Sequence, residues 1–200
     1  MFDICYYINL DKRTDRRESI ERNLKLAKIF DVSHRISAIL NSHNGPMGCA
    51  LSHILTLHYF IESKHETCLI VEDDLIIKDP HNFKKNIAKI YENNIDFDII
   101  QISGKFFEVL NTEYEFLSKV INSQTTSGYI LHKNFAKKLL NRYEVSLIEM
   151  IDFEGQIGNS IDKRWKVLQP IYKWYAFNPP LGFQGEGYSD IEKDNVNYGI

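Results

Sequence analysis

Two hundred residues, 44% apolar and 12% aromatic, suffice to bury one substantial core, so a single globular unit over residues 1–200 is expected. A formal charge of −3 and a pI near 6.2 provide no broad positive field against phosphates, which argues against nucleic acid as a partner. Cys5, Cys49 and Cys68 are odd in number, lie in apolar surroundings and form no CxxC pair, so a reducing compartment fits better than a disulfide framework.

Residues 4–10 (ICYYINL) read as a buried strand rather than a signal peptide, because no basic segment leads them and charges follow at once from Asp11. No apolar run approaches the roughly 20 residues of a spanning helix, so a membrane substrate would be met peripherally, from the cytoplasmic face. Over 11–30 the period changes: Ile20, Leu24, Ala27 and Ile29 recur at helical spacing, with Thr14 or Asp15 as N-cap. Residues 41–48 (NSHNGPMG) are turn-rich, and 49–63 read as a helix with Leu51, Ile54, Leu55 and His58 on one side. Residues 67–71 (TCLIV) form a short apolar run that stops at three carboxylates.

Further on, 83–91 reads as a helix and 97–102 as a buried strand, while 106–118 is weakly patterned. Residues 127–131 are strand-like, 134–143 form a helix with Phe135, Leu139 and Leu140 inward, and 165–174 contain one more strand. After Pro179 the chain is Gly-rich and aperiodic. This alternation predicts an α/β fold with a mostly parallel central sheet and helices on both faces.

Glu72, Asp73 and Asp74 directly follow a buried strand, where three acids are costly unless a cation or solvent compensates them. Ligands in open α/β sheets gather beyond strand carboxyl ends, and such oxygen ligands suit Mn²⁺ or Mg²⁺. A solvated acidic turn explains the same residues. Arg13 and Arg16 could fork onto a phosphate or a carboxylate, or belong to an exposed helical turn with Lys12 and Arg17. Gly45 and Gly48 precede a helix, where backbone N–H groups could approach a substrate oxygen; a plain entry loop would also use them, and His53 alone reads as a core histidine. Tyr129, Trp165, Trp174 and Tyr188 could stack on a sugar or a base, with core packing as the alternative.

Taken in order, INLDKRTDRR, GPMGCALSH, LIVEDD, SGYILHKNFAKKLL, MIDFEG and PPLGFQGEGYSDI resemble glycosyltransferase family 25, which includes lipooligosaccharide and collagen galactosyltransferases. The resemblance implies a GT-A-like fold, a divalent metal (Mn²⁺ or Mg²⁺), and inverting transfer from a UDP-sugar, commonly UDP-galactose, to a glycan or glycolipid. It places the metal and diphosphate motif on Glu72, Asp73 and Asp74, and donor binding on Asn9, Arg13, Arg16, Gly48, Ser52, His53 and Asp73, with Cys49 in the same motif. Asp152 matches an acidic position of related sequences and is the expected general base, with Glu154 second. Pro46 departs from the family, standing where many relatives carry glutamate. The resemblance divides the chain into a nucleotide-sugar half, about 1–105, and an acceptor half, about 106–200. Two other readings are a family member that binds carbohydrate without catalysis, and a receiver-like phospho-signalling domain. The second leaves INLDKRTDRR and GCALSH unexplained.

Overall fold

The computed structural model describes residues 1–152 and 159–185, together with the backbone of 187–189 and 194–196. Its centre is an eight-stranded sheet in the order β2-β1-β3-β8-β5-β9-β7-β6. These strands are β1 (Ile4–Asn9), β2 (Ser33–Ser37), β3 (Thr67–Glu72), β5 (Ile99–Gln101), β6 (Lys105–Asn111), β7 (Leu117–Gln124), β8 (Gly128–His132) and β9 (Trp174–Phe177). From the pairings, six strands run one way and only β8 and β7 oppose them, as the mostly parallel expectation required.

The period-2 alternation of strand side chains divides the core into two layers. Ile4, Tyr6 and Ile8 of β1 and Cys68 and Ile70 of β3 face a layer closed by α2 (Gly45–Glu62) and α4 (Lys133–Asp152). Cys5 and Tyr7, with Leu69 and Val71, face the opposite layer under α1 (Thr14–Leu26) and α3 (Phe83–Glu92). All six β1 residues are buried, which is why this strand reads as a continuous apolar run. Four short strands, β4 (Leu75–Ile77), β10 (Gly182–Gln184), β11 (Gly187–Ser189) and β12 (Asp194–Val196), complete the strands described; β10 pairs with β4 and β11 with β12. A four-residue helix, α5 (Ile161–Arg164), continues into a 3-10 turn over Trp165–Leu168.

Several boundaries differ from the sequence reading. Helix α1 ends at Leu26 and the chain reverses through Lys28 at φ 57, although Ala27 and Ile29 are buried as expected. Neither Thr14 nor Asp15 caps it; Arg13 occupies the N-cap position, and its side chain makes no capping bond. Helix α2 begins at Gly45 because the Asn44 side chain accepts from the Met47 N–H and Pro46 is tolerated in the first turn. Its buried face is Ala50, Ser52, His53, Thr56, Leu57 and Phe60, not the face of Leu51 and His58. The hydroxyls of Ser52 and Thr56 donate to the carbonyls of Gly48 and Ser52, so these polar side chains enter the core satisfied.

Helix α4 runs on to Asp152, its inward stripe continuing through Tyr143, Ser146 and Met150. Trp165 lies in a 3-10 turn, and the strand expected over 165–174 begins only at Trp174. The weakly patterned stretch holds the β6–β7 hairpin, whose β6 is almost entirely exposed and therefore shows no alternation.

One local clamp fixes the edge opposite the carboxylates. Asp3 Oδ2 accepts from the N–H groups of Glu66 and Thr67 (2.9 Å each) and from the Thr67 hydroxyl (3.2 Å). Burial opposes ionisation of Asp3, but these bonds outweigh it and hold the carboxyl below its ordinary value. A depressed acid contributes stability above its unfolded pKa and loses it as pH falls through the folded one. Asp3→Ala should therefore lower stability by about 1 kcal/mol at pH 7. In melts recorded toward acid pH, the gap to the wild-type protein should close.

Candidate active site

The parallel strands β1, β2 and β3 end together, and the segments leaving their carboxyl ends enclose a cavity of about 120 Å³. Asn9, Arg16, Ile39, Gly48, Cys49, Ser52, His53, Glu72, Asp73, Asp74 and Gln184 are among its lining residues. Strand alternation sends Glu72 to the α2 side, with Cys68 and Ile70, while Asp73 and Asp74 turn toward α1.

Glu72 Oε1 lies 3.2 Å from His53 Nε2 and accepts from the Thr126 hydroxyl at 2.6 Å. Burial raises its pKa, yet the bonds from His53 and Thr126 outweigh burial and keep it below the ordinary value. His53 is fully buried, with Nδ1 3.1 Å from the Tyr129 hydroxyl. It is therefore both a satisfied core histidine and a wall of the cavity. Asp73 accepts from Asn9 Nδ2 (2.7 Å) and from Arg16 (3.1 Å); burial still leaves its pKa raised. Asp74 accepts from Arg16 (3.3 Å) and Gln184 (3.1 Å), and burial followed by the Glu72 charge pushes its pKa up to about 7.

The Asn9 amide is fixed at both ends. Its Nδ2 also donates to the Arg13 carbonyl (3.0 Å), and its Oδ1 accepts from Arg35 Nε (3.1 Å). Arg35 was not marked in the sequence, nor was Gln184, which the Gly-rich tail returns to the acids through a Gly185 N–H bond to the Asp74 carbonyl at 2.7 Å. Arg13 forks onto Asp15 with bonds of 3.0 and 2.8 Å and does not line the cavity. Tyr129, Trp165 and Trp174 are fully buried, so all three pack the core instead of offering a face to a ligand. The Tyr188 side chain and Glu154 lie outside the described residues. Asp152 is exposed on the last turn of α4.

Gly48 and Ser52 shape the wall. The Ser52 hydroxyl accepts from the Ile39 N–H at 2.8 Å, and a Cβ on Gly48 would stand 2.6 Å from the Ile39 carbonyl oxygen. Gly48 therefore lies inside α2, where its lack of a side chain lets the 38–41 segment approach, and it is not part of a loop before the helix. Gly48→Ala must displace that backbone, at a cost of about 1–3 kcal/mol. A melt and a nucleotide titration of this variant should both show a loss.

Arg16 supplies one guanidinium against three carboxyl groups, and Asp74 Oδ1 is buried without a hydrogen-bond partner among the described residues. An orphaned acceptor beside excess negative charge fits a cation. Carboxylate oxygens suit Mg²⁺ or Mn²⁺, whereas Cys49, His53 and Glu72, whose ligand atoms lie within 4.8 Å of one another, would suit a softer ion.

The family model described as glycosyltransferase family 25 (LPS biosynthesis protein) matches residues 28–153. The chain belongs to this family. Among curated proteins, it is 28% identical to human procollagen galactosyltransferase 2 over 174 residues, covering 70% of this chain and 27% of that protein. It is 29% identical to procollagen galactosyltransferase 1-B of Xenopus laevis, with 70% and 28% covered. The chain thus spans about a quarter of the length of these relatives. A solved glycosyltransferase involved in glycosylating the major capsid of PBCV-1 shares the fold, with a TM-score of 0.52, 13% identity and 95% of each chain covered. Family 25 membership and this GT-A-like architecture set aside the receiver-like alternative. No helix among the described residues is long and apolar enough to cross a membrane.

Proposed function

We propose that this family 25 protein transfers a hexosyl group, galactosyl in our reading, from a UDP-sugar to a hydroxyl of a lipooligosaccharide or other surface glycan, with inversion. The observation that carries this reading is the cavity at the strand ends, where half-buried Asp74 keeps a buried oxygen unpaired among the described residues, beside Glu72, Asp73 and Arg16. Glu72, Asp73 and Asp74 would hold Mn²⁺ or Mg²⁺, which when bound supplies Lewis-acid neutralisation of the diphosphate.

The chain's own groups do the remaining work. Arg16 offers positive charge toward the departing nucleoside diphosphate. Asn9, locked by Arg35 and the Arg13 carbonyl, holds Asp73 in register. His53 and Thr126 hold Glu72 ionised, and Gly48 and Ser52 keep the 38–41 segment close enough to form one wall. Ile8, Leu10 and Ala38 add apolar lining that excludes water. The donor half of the protein is then about 1–105, closed by Gln184 from the acceptor half. Free Cys5, Cys49 and Cys68 accord with a reducing, cytoplasmic setting and peripheral contact with a membrane-borne acceptor.

The test is UDP release from a panel of UDP-sugars, with and without Mn²⁺, in the presence of a lipooligosaccharide-derived acceptor pool. Metal-dependent release with one donor is expected. Release indifferent to metal would refute the role given to the carboxylates.

A further inference from the structure

Two consecutive threonines join the acidic cluster to a carboxylate that the sequence did not single out. Thr126 donates its hydroxyl to Glu72 Oε1 at 2.6 Å, and the Thr125 N–H donates to Asp162 Oδ2 at 3.3 Å. Thr125 sits at φ 82, a left-handed conformation that a β-branched residue adopts only under constraint from its surroundings. The turn places the Thr126 hydroxyl on Glu72 and the Thr125 N–H on Asp162. Ser160 Oγ fixes the other Asp162 oxygen at 2.6 Å. Asp162 is half-buried, and its charge acts on cavity-lining Cys49, raising that thiol after burial and Glu72 and ahead of Asp74.

The other acids near the cavity are committed. Glu72 is bound by His53 and Thr126, and Asp73 and Asp74 share Arg16. Asp152 is exposed, and among the described residues no hydrogen bond or ion pair ties it to the cavity. Asp162 is oriented by one short bond and one long one, which leaves Oδ2 with lone-pair capacity for an incoming proton.

Resting on the transferase reading above, we propose that Asp162 is the catalytic base. The acceptor O–H proton passes to the Asp162 carboxylate, and the oxygen's electron pair forms the bond to the anomeric carbon. The bond from that carbon to the β-phosphate oxygen breaks, and its pair leaves with UDP. Because Asp162 and the metal-side carboxylates belong to opposite ends of the Thr125–Thr126 bridge, deprotonation and leaving-group departure are assigned to separate groups.

The experiment compares wild-type protein with Asp162→Asn, Asp162→Glu and Asp152→Asn, using the donor that the wild-type protein turns over, Mn²⁺ and the acceptor pool. Melting temperature and calorimetric UDP binding are measured on each. Asp162→Asn should lose roughly 100-fold or more in kcat and the acidic limb of its pH profile, while UDP affinity and melting temperature stay at wild-type values. Asp162→Glu should recover part of the rate, and Asp152→Asn should match wild type. Wild-type turnover in Asp162→Asn overturns the assignment, as does a collapse confined to Asp152→Asn. Loss of rate that tracks loss of UDP binding or of folding overturns it too, since that marks a structural role. Absence of wild-type turnover with every donor overturns the transferase reading and this assignment with it.

Discussion

Replacing Asp74 by Asn is expected to abolish metal-dependent turnover while leaving the melting temperature at or above the wild-type value. The two effects have one cause. Asp74 is half-buried beside Glu72 and Asp73, with Oδ1 buried and unpartnered among the described residues and Oδ2 shared between Arg16 and Gln184. A carboxylate so placed is costly to the fold without a compensating cation, because the described residues do not supply it with a full set of donors. Asparagine keeps the shape and removes the charge, so the fold loses nothing by it. On the proposed function, however, the site loses a ligand to a divalent ion whose charge would offset the leaving diphosphate. That contribution is worth several kcal/mol, or roughly a thousand-fold in kcat. Asp73→Asn should act similarly on turnover, but should lower stability slightly, since Asp73 accepts from both Asn9 and Arg16. Steady-state assays paired with thermal melts would separate the two variants. A strongly destabilised Asp74→Asn would refute the view that this carboxylate is held for function at the expense of the fold.

The largest effect on stability is expected from Trp165→Ala. Trp165 is fully buried, 4.9 Å centroid to centroid and edge-on to Trp174, and packs against Tyr129 at 5.7 Å. Tyr129 in turn holds His53, which holds Glu72. Emptying this position should cost about 3–5 kcal/mol and loosen the wall beneath the cavity, so donor affinity should fall together with stability. Trp165→Phe should restore most of both, because the indole N–H has no hydrogen-bond partner among the described residues and its loss orphans nothing. Denaturant melts of the two variants check this. An alanine variant as stable as wild type would show that the aromatic cluster does not support the site.

Much of the site was legible because its chemistry is concentrated at strand ends. The apolar runs of β1 and β3 are buried on both faces, so they stand out without alternation, and the acids and Asn9 follow at their carboxyl ends. Asp73 and Arg16 meet because these two strands pair in parallel. What could not be read has equally physical reasons. Arg35 lies on β2, whose mixed burial gives no periodic signal. Gln184 returns from a tail whose strand has only three residues, paired with an equally short β4. Asp162 is brought in by a strained turn at Thr125, and such a conformation has no signature when the residue is not glycine. The start of α2 was hidden by its own cap, since Asn44, Gly45 and Pro46 look like a turn until Asn44 is seen to accept from Met47. Conversely, Trp165 and Trp174 left stacking and core packing both open, because aromatic type alone does not distinguish a face turned to a cavity from one turned inward.

The most direct test of the central claim is a calorimetric titration of UDP into the folded protein with and without Mn²⁺, repeated on Asp73→Asn. The account predicts saturable binding that depends on Mn²⁺ and is lost or severely weakened in the variant. Absence of UDP binding in the presence of Mn²⁺, or binding that neither the metal nor Asp73 affects, would contradict it.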